Sequence, residues 1–390
     1  SPAQPSPAQP SPGMRPSSAP QAHAAVCLRA DQRHWPPAPG TGPPEHWHWR
    51  PLQTWPPPGQ TAAAGSRRPL ARRAVCCRPG AIAASALGAR WLQRARAKRA
   101  AAVSRALPEG DRPFEVVPVE GKGLGAVATR DIACGELIMS EAPAMSFGSD
   151  DPPESAQRQF DGLAAPMQQA VMQLHDGFSP GGDAKTLDGI VKTNSYWCES
   201  GPKQVLLCPE MSRFNHSCSP NCEQSWDGDA CVEQLRASTD VRAGEELCNY
   251  YVNVVAPREE RAEGLWRMHG IECQCSCCSS RDATSDRRRS LLQQLEKDLT
   301  TRGAEDPELG LRIVAQMLDL YDEEGIHLKS LRRQACFYAF QLKLLLNDIP
   351  GARHWATRAH GYSEMFQGPS QSETLRLSGL MRDPRSYSAG

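Results

Sequence analysis

Short apolar runs separated by turn residues make up the middle of the chain, whereas helical spacing of apolar residues governs its end. Residues 114–119 predict a strand, a glycine-rich turn follows, and residues 125–128 predict a second strand. Residues 137–139, 205–207 and 231–235 are further short candidates. Many short strands between Gly, Pro and Asp turns favour a mostly β domain.

Helical periodicity occurs in two places. Between the predicted strands, residues 155–175 form one helical candidate, with apolar residues at Phe160, Leu163, Met167, Val171 and Leu174. After Ser279 the same spacing recurs, with residues 348–351 as a turn and 352–362 as the next helix. The pair within 331–365 has the length of a tetratricopeptide-like hairpin. Two interpretations stay open: a peptide-binding repeat array, or a helical domain that packs on its neighbour.

Residues 1–108 differ in composition from the rest. Residues 1–60 contain 16 prolines and too few apolar groups to offset the entropy of ordering, so we predict a disordered tail. Residues 61–106 are rich in Ala and Arg and allow three interpretations: an organelle transit peptide, a nuclear localisation patch at 67–73, or a solvated tail without an address. The prolines and the Trp-rich residues 46–55 do not suit a transit peptide, which puts the plain tail first.

The formal net charge of zero hides a strong asymmetry. Residues 1–108 hold 15 Arg and Lys residues against two acids, so the totals of 44 and 44 leave 29 basic and 42 acidic residues in 109–390. An acidic body favours basic partners such as Lys-rich peptides and disfavours direct binding of nucleic acid. A merely soluble, acidic surface is the alternative. No apolar run is long enough to cross a bilayer, so we predict no membrane-spanning helix.

Three segments carry groups suited to ligand binding. Residues 121–125, Gly-Lys-Gly-Leu-Gly, allow a ligand close to the backbone, although a hairpin turn explains them about as well. Residues 213–222, Arg-Phe-Asn-His-Ser-Cys-Ser-Pro-Asn-Cys, combine polar side chains that have little reason to occur as core packing. Residues 242–251 read Arg-Ala-Gly-Glu-Glu-Leu-Cys-Asn-Tyr-Tyr.

The cysteines are clustered in a way that indicates a metal site. Ten of the 15 lie in residues 198–278, and no signal peptide is evident, so metal ligation is favoured over disulfides. Cys273, Cys275 and Cys278 supply three closely spaced thiolates, which do not complete a tetrahedral zinc site. Cys218 is the candidate for the fourth ligand. A site with four thiolates is closed, so we expect the zinc to be structural.

The glycine-rich turn, the Asn-His-Ser-Cys stretch, the Gly-Glu-Glu-Leu stretch and the Cys-x-Cys-x-x-Cys tail occur in the order typical of SET-domain methyltransferases with a post-SET zinc element. The chain resembles the SMYD-related branch of that family, in which a helical domain also follows. No cysteine lies between Cys134 and Cys198, so it is similar to relatives without a MYND zinc finger. The resemblance implies a mostly β SET domain with a pseudoknot over 109–265, a post-SET segment over 266–280 and an all-α domain over 285–390.

The resemblance also implies roles for individual residues. The cofactor S-adenosylmethionine is implied to contact Lys122, Gly123, Leu124, Gly125, Asn194, Asn215, His216 and Tyr251. Zinc is implied to bind Cys218, Cys273, Cys275 and Cys278, with Cys277 as a spare or as an alternative to Cys278. Tyr251 is implied to be the catalytic residue that orients the lysine amine. Ile271 departs from the family pattern, because this position is usually aromatic.

Together these features predict a protein lysine N-methyltransferase that acts on a basic protein, either a histone tail or another Lys-rich protein. Two other functions stay open: a catalytically silent SET scaffold that binds protein partners through its helical domain, and a methyltransferase with a different acceptor. The expected location is the nucleus or cytoplasm. A plastid destination follows if the N-terminal region is a transit peptide.

Overall fold

A computed structural model describes residues 112–148, 151, 154–179, 184–198 and 204–387. The predictions for the N-terminal 108 residues, disorder and targeting included, lie outside these residues. Within them, short strands come first and a helical region follows, which confirms the predicted order of a β SET-type domain and an α domain.

The described strands form three small antiparallel sheets. Strands β1 (Phe114–Val119) and β2 (Gly123–Ala128) form a hairpin, whose turn needs glycine because Gly121 and Gly123 have φ of +71° and +76°. The second sheet has the order β3-β8-β7 and the third the order β4-β6-β5. These strands are β3 (Leu137–Glu141), β4 (Met145–Gly148), β5 (Tyr196–Cys198), β6 (Gln204–Leu207), β7 (Cys222–Asp227) and β8 (Val232–Ala237).

Among the described residues between β4 and β5 lie the helices α1 (Ser155–Asp161), α2 (Ala165–Met172) and α3 (Leu187–Asn194). The prediction of one helix over 155–175 is therefore wrong. Gly162 ends α1, and Pro166 stands in the first turn of α2. Proline is favoured at the start of a helix and breaks a helix in its interior, so the apolar periodicity continues across a backbone break.

Helix α4 (Arg258–His269) ends at Gly270, which has a φ of +66°. A Cβ on Gly270 would lie 2.3 Å from the carbonyl oxygen of Gly177. Two backbone segments thus touch where only glycine leaves room, which fixes the chain as it enters the cysteine-rich segment. That segment contains the short helix α5 (Ser276–Ser279).

The α domain consists of α6 (Ala283–Arg302), α7 (Pro307–Glu323), α8 (Lys329–Leu345), α9 (Ile349–Gln367) and α10 (Ser372–Arg382). Side chains of α8, α9 and α10 form one core cluster of this domain: Cys336, Phe340, Ala352, Ala356, Ala359, Leu377 and Leu380. None of the helices among the described residues is long and apolar enough to cross a membrane.

The turn predicted at residues 348–351 is the start of α9. Asp348 caps the helix, since its carboxylate accepts the N–H of Gly351 at 2.9 Å, and Pro350 occupies the first turn. Asp followed by Pro is a turn signal and a helix-start signal alike, because both structures use the same side-chain cap and the same φ. The prediction of a turn here was wrong for that reason.

Glu223 of β7 joins the two domains. It is 1% exposed, and its carboxylate accepts the backbone N–H groups of Lys329 at 2.7 Å and Ser330 at 3.1 Å. The N-cap residue of α8, Leu328, supplies no side-chain cap of its own. A carboxylate at a helix N-terminus both satisfies free N–H groups and suits the helix dipole. The SET-type domain therefore caps a helix of the α domain.

Glu141, at the end of β3, is a carboxyl group whose titration affects stability. Its oxygens accept the N–H groups of Glu210 at 3.1 Å and Met211 at 2.8 Å. Burial raises the pKa of Glu141 from 4.5 to about 8, against the effect of these two hydrogen bonds. Between those values the folded protein holds a proton that the unfolded chain has lost. The stability from Glu141 is therefore full below the lower pKa and is lost as pH rises through the upper one.

We expect Glu141→Gln to remove this pH dependence. From about pH 5 to about pH 9, the free energy of unfolding of the wild type should fall by about 1–3 kcal/mol relative to the variant. Urea unfolding at several pH values measures the difference, with the exposed Glu115→Gln on β1 as the control. Parallel pH curves for the wild type and Glu141→Gln would contradict the prediction.

Candidate functional site

The candidate site lies where residues 244–249 pass between strand β2 and residues 215–216. On one side the N–H of Leu247 donates to the carbonyl of Ala126 in β2 at 2.8 Å. On the other side the N–H of Asn249 donates to the carbonyl of Asn215 at 2.9 Å, next to a parallel bridge between His216 and Asn249. The glycine-rich hairpin, the Asn-His stretch and the Gly-Glu-Glu-Leu stretch, which are far apart in sequence, are thereby brought together.

Glu246 links the first two of these motifs. Its carboxylate lies 2.5 Å from Nζ of Lys122 and accepts Nδ2 of Asn215 at 2.9 Å. Burial opposes the charge on Lys122, but the hydrogen bond and charge of Glu246 prevail and hold the pKa of Lys122 above its ordinary value. The side chain of Asn215 also donates to the carbonyl of Leu124 at 3.3 Å. The hairpin is thus held against Asn215 through side chains.

The hairpin has the features of a ligand cradle. A Cβ on Gly123 would meet no atom within 4 Å, and the side chain of Leu124 is 44% exposed despite being apolar. A Cβ on Gly125, by contrast, would lie 2.6 Å from Nδ2 of Asn215. Open backbone at Gly123 beside tight packing at Gly125 suits a ligand that lies along the backbone of residues 122–125.

His216 connects the site to the cysteines. Its Nδ1 accepts the N–H of Tyr251 at 3.0 Å, and its Nε2 lies 3.2 Å from Sγ of Cys218. Burial lowers the pKa of His216 to about 3, so the ring is neutral and its one proton is on Nε2, which donates to the sulfur. Both ring nitrogens are occupied within the protein, which leaves the backbone of His216 for any contact with a cofactor.

Tyr251 is held from several directions. Its hydroxyl donates to the carbonyl of Phe214 at 2.8 Å, and its ring lies between those of His216 and His269, at centroid distances of 5.5 and 5.1 Å. Burial, with the nearby Cys248 and Glu246, raises the pKa of Tyr251 well above its ordinary value. The phenol is therefore neutral, and because its proton points at Phe214, its lone pairs face elsewhere.

His269 is a residue of the site that the sequence did not single out. It is 5% exposed, and its Nδ1 donates to the carbonyl of Thr193 at 2.7 Å while the ring packs on Tyr251. It therefore ties α3 to the tyrosine. A single histidine at the end of a polar helix gives no signal in the sequence, because only the fold brings it to Tyr251.

Asn194, named from the sequence as a cofactor contact, is used inside the protein. Its Nδ2 donates to the carbonyls of His175 and Ile190, both at 2.7 Å. Among the hydrogen bonds of the described residues, none joins its side chain to the hairpin or to Asn215. Its position beside Thr193 links it to the site through His269.

The four cysteines named as zinc ligands lie together. The Sγ atoms of Cys218, Cys273, Cys275 and Cys278 are all within 4.8 Å of one another. Sγ of Cys218 is 3.4 Å from that of Cys278 and 3.9 Å from that of Cys273. Tetrahedral zinc with Zn–S bonds of about 2.3 Å places its sulfurs about 3.8 Å apart. The donor set and its spacing fit a closed zinc–thiolate site.

This site borders the hairpin. A Cβ on Gly121 would lie 3.5 Å from Oε1 of Gln274, which stands between two of the cysteines. The post-SET segment and the glycine-rich turn thus face each other, and a metal that orders residues 273–278 also orders one side of the cradle.

Parts of this chain are similar to known proteins. A family model of the SET domain matches residues 123–252. Histone-lysine N-methyltransferase set5 of Schizosaccharomyces pombe is 25% identical over 279 residues, which are 70% of this chain and 85% of that protein. Histone-lysine N-methyltransferase SMYD3 of Mus musculus is 39% identical over 82 residues, 21% of this chain and 19% of that protein. N-lysine methyltransferase SMYD2 of Homo sapiens is 27% identical over 111 residues, 28% of this chain and 25% of that protein.

Proposed function

We propose that this chain, which contains a SET domain and is homologous to the set5 and SMYD methyltransferases, is a protein lysine N-methyltransferase that uses S-adenosylmethionine. One observation carries the proposal: the hydroxyl of Tyr251 is bonded to the residue before Asn215, and Asn215 in turn contacts a glycine hairpin whose backbone is open to a ligand. The matches cover about a fifth to a quarter of the length of the SMYD proteins. The activity of the whole protein is therefore part of this proposal.

The residues of the hairpin and Asn215 hold the cofactor in this proposal. S-adenosylmethionine, when bound, supplies a methyl group on a positively charged sulfur. The protein needs to deliver a neutral lysine amine to that group, since only the neutral amine has a free lone pair. A dry channel and a nearby positive charge both lower the pKa of a lysine, because each disfavours the ammonium form.

Tyr251 orients the amine. Its hydroxyl proton is engaged by the carbonyl of Phe214, so its oxygen is free to accept an N–H of the lysine. One N–H held in this way fixes the direction of the amine lone pair. Alignment of this kind accounts for several kcal/mol of a barrier. The neutral phenol acts as an acceptor and not as a base.

The proposed substrate is a basic protein, a histone or another Lys-rich protein. The names of the set5 and SMYD3 relatives state a histone lysine as acceptor, and the acidic charge of residues 109–390 suits a basic tail. We propose a nuclear or cytoplasmic location on the same grounds. No comparison supports a plastid destination.

Transfer of label from S-adenosylmethionine to core histones and to a mixture of basic proteins tests the proposal. We expect label on lysine, located by mass spectrometry of the labelled protein. Cofactor binding and zinc content are measured on the same sample. Absence of label despite a bound cofactor and full zinc would favour the silent scaffold, and label on another side chain would favour a different acceptor.

We expect Gly125→Ala to weaken cofactor binding by about tenfold or more, because the added methyl displaces the Asn215 amide from the hairpin. Calorimetric titration with S-adenosylhomocysteine measures the affinity. Gly228→Ala is the matched control, since its Cβ would meet nothing closer than 3.7 Å in the β7–β8 turn. Equal affinities for the wild type and Gly125→Ala would count against the hairpin as the cofactor site.

A further inference from the structure

Two arginines lie buried beside the four-cysteine site. Arg261 of α4 and Arg289 of α6 are each 1% exposed and are among the largest fully buried side chains of the described residues. Arginine is almost never buried without a compensating partner, because the guanidinium is always charged. We therefore expect negative charge close to both guanidinium groups.

Arg289 reaches the cysteine-rich segment from the α domain. Its Nη2 donates to Sγ of Cys277 at 3.3 Å, and its Nη1 donates to the carbonyl of Val254. Its Nε lies 3.0 Å from the carboxylate of Glu324, which follows α7 and also pairs with Arg288 at 2.5 Å. Glu324 is thus shared between two guanidinium groups, of which Arg288 also lies 3.8 Å from Glu323.

Arg261 reaches the same segment from the other side. Its Nη2 lies 3.7 Å from Sγ of Cys277 and 3.9 Å from Sγ of Cys278, and its Nη1 donates to the carbonyl of Ala256. Arg261 takes part in none of the ion pairs between side chains of the described residues. The positive charge of the Arg261 guanidinium therefore faces sulfur atoms.

A zinc ion with four thiolates carries a net charge of about −2, since four negative ligands surround a divalent cation. Arg261 has no carboxylate partner among the described residues, so its full positive charge faces this centre, whereas Arg289 shares Glu324 with Arg288, which also lies 3.8 Å from Glu323. The charge on Arg261 and a share of the charge on Arg289 thus offset part of the negative charge of the centre. With four neutral thiols in place of the zinc–thiolate centre, the charge on Arg261 would be buried without a negative partner, which is strongly unfavourable.

We infer that Arg261 and Arg289 form the outer shell of the zinc centre, and that the α domain is needed to retain the metal because it supplies Arg289. Cys277 is then a contact for both arginines and not an alternative ligand to Cys278. The inference rests on the zinc site assigned above. Partners behind the ligands commonly change metal affinity by about 10- to 100-fold when they are removed.

Competition of the purified zinc-loaded protein with a chromophoric chelator measures this affinity without any assay of methyl transfer. We expect Arg289→Met to lower zinc affinity by about 10- to 100-fold. Arg288→Met is the matched control, because Arg288 pairs with the same Glu324 but donates to no sulfur atom of the described residues, and the zinc affinity of this variant should stay near that of the wild type. Arg289→Lys keeps the positive charge, so its zinc affinity should lie between those of Arg289→Met and Arg288→Met.

Two further measurements separate this role from a general loss of structure. Thermal unfolding by circular dichroism in excess zinc reports whether Arg289→Met still folds. Cys277→Ala removes the sulfur contact with little change of volume, and we expect one zinc per chain with affinity lowered several-fold. Unchanged zinc affinity in folded Arg289→Met would overturn the inference, as would equal losses in Arg288→Met and Arg289→Met. A wild-type protein that binds no zinc would instead overturn the zinc site itself.

Discussion

Tyr251→Phe is expected to lower the rate of methyl transfer by about 100-fold or more while leaving cofactor affinity within about twofold of the wild type. The substitution removes one oxygen and keeps the ring between His216 and His269. The lost oxygen is the acceptor proposed for the lysine amine. The hydrogen bond to Phe214 is lost as well, and its contribution to folding is about 1 kcal/mol.

Rates measured with saturating cofactor and a methylated product defined by mass spectrometry test this expectation. Tyr338→Phe serves as the control, because it removes a buried hydroxyl from the α domain, away from the proposed site. A Tyr251→Phe enzyme with more than half of the wild-type rate would exclude the hydroxyl from the reaction. A matching fall in thermal stability and rate would point to misfolding and not to lost alignment.

The second large effect is expected from loss of zinc. Cys218→Ser, or removal of the metal by a chelator, should leave less than one zinc per chain, disorder residues 273–279 and abolish methyl transfer. Structural zinc contributes about 10 kcal/mol or more to the order of the segment that binds it. The effect reaches Tyr251 because the ring of His216 donates to Cys218 and accepts the N–H of Tyr251.

Mass spectrometry measures the zinc content of each variant. Hydrogen exchange of the backbone amides measures the loss of order at residues 273–279 and at Tyr251. Cys134→Ser is the control, since Cys134 is half-exposed, lies outside the four-sulfur group and is expected to keep one zinc. Faster exchange at the cysteines with unchanged exchange at Tyr251 would mean that His216 does not transmit the loss. Full zinc content in Cys218→Ser would exclude Cys218 as a ligand.

The sequence predicts those parts of the fold that local patterns determine. Short apolar runs and turn residues located β1 and β2, and the 3.6-residue period located the helices of the α domain. The errors occurred where one pattern serves two structures. Periodicity continued across the break at Gly162, and Asp348 with Pro350 began a helix where a turn was predicted.

The proposed site divides in the same way. Asn215, Cys218 and Tyr251 stand in short motifs, so a family resemblance was enough to select them, and they do lie close together. His269 and Arg289 stand in no motif. A buried polar residue is recognised by its partners across the fold, and those partners come from helices distant in sequence. No local pattern carries that information.

Glu223 bears on how such proteins change over time. A strand of one domain caps a helix of the other, so the α domain is not a module that can be exchanged without regard to its neighbour. An α domain taken from a relative would arrive with an uncapped α8 unless the host strand kept an acid at this position. Loss of the helical domain would likewise leave the carboxylate of Glu223 without the two N–H groups that it accepts here.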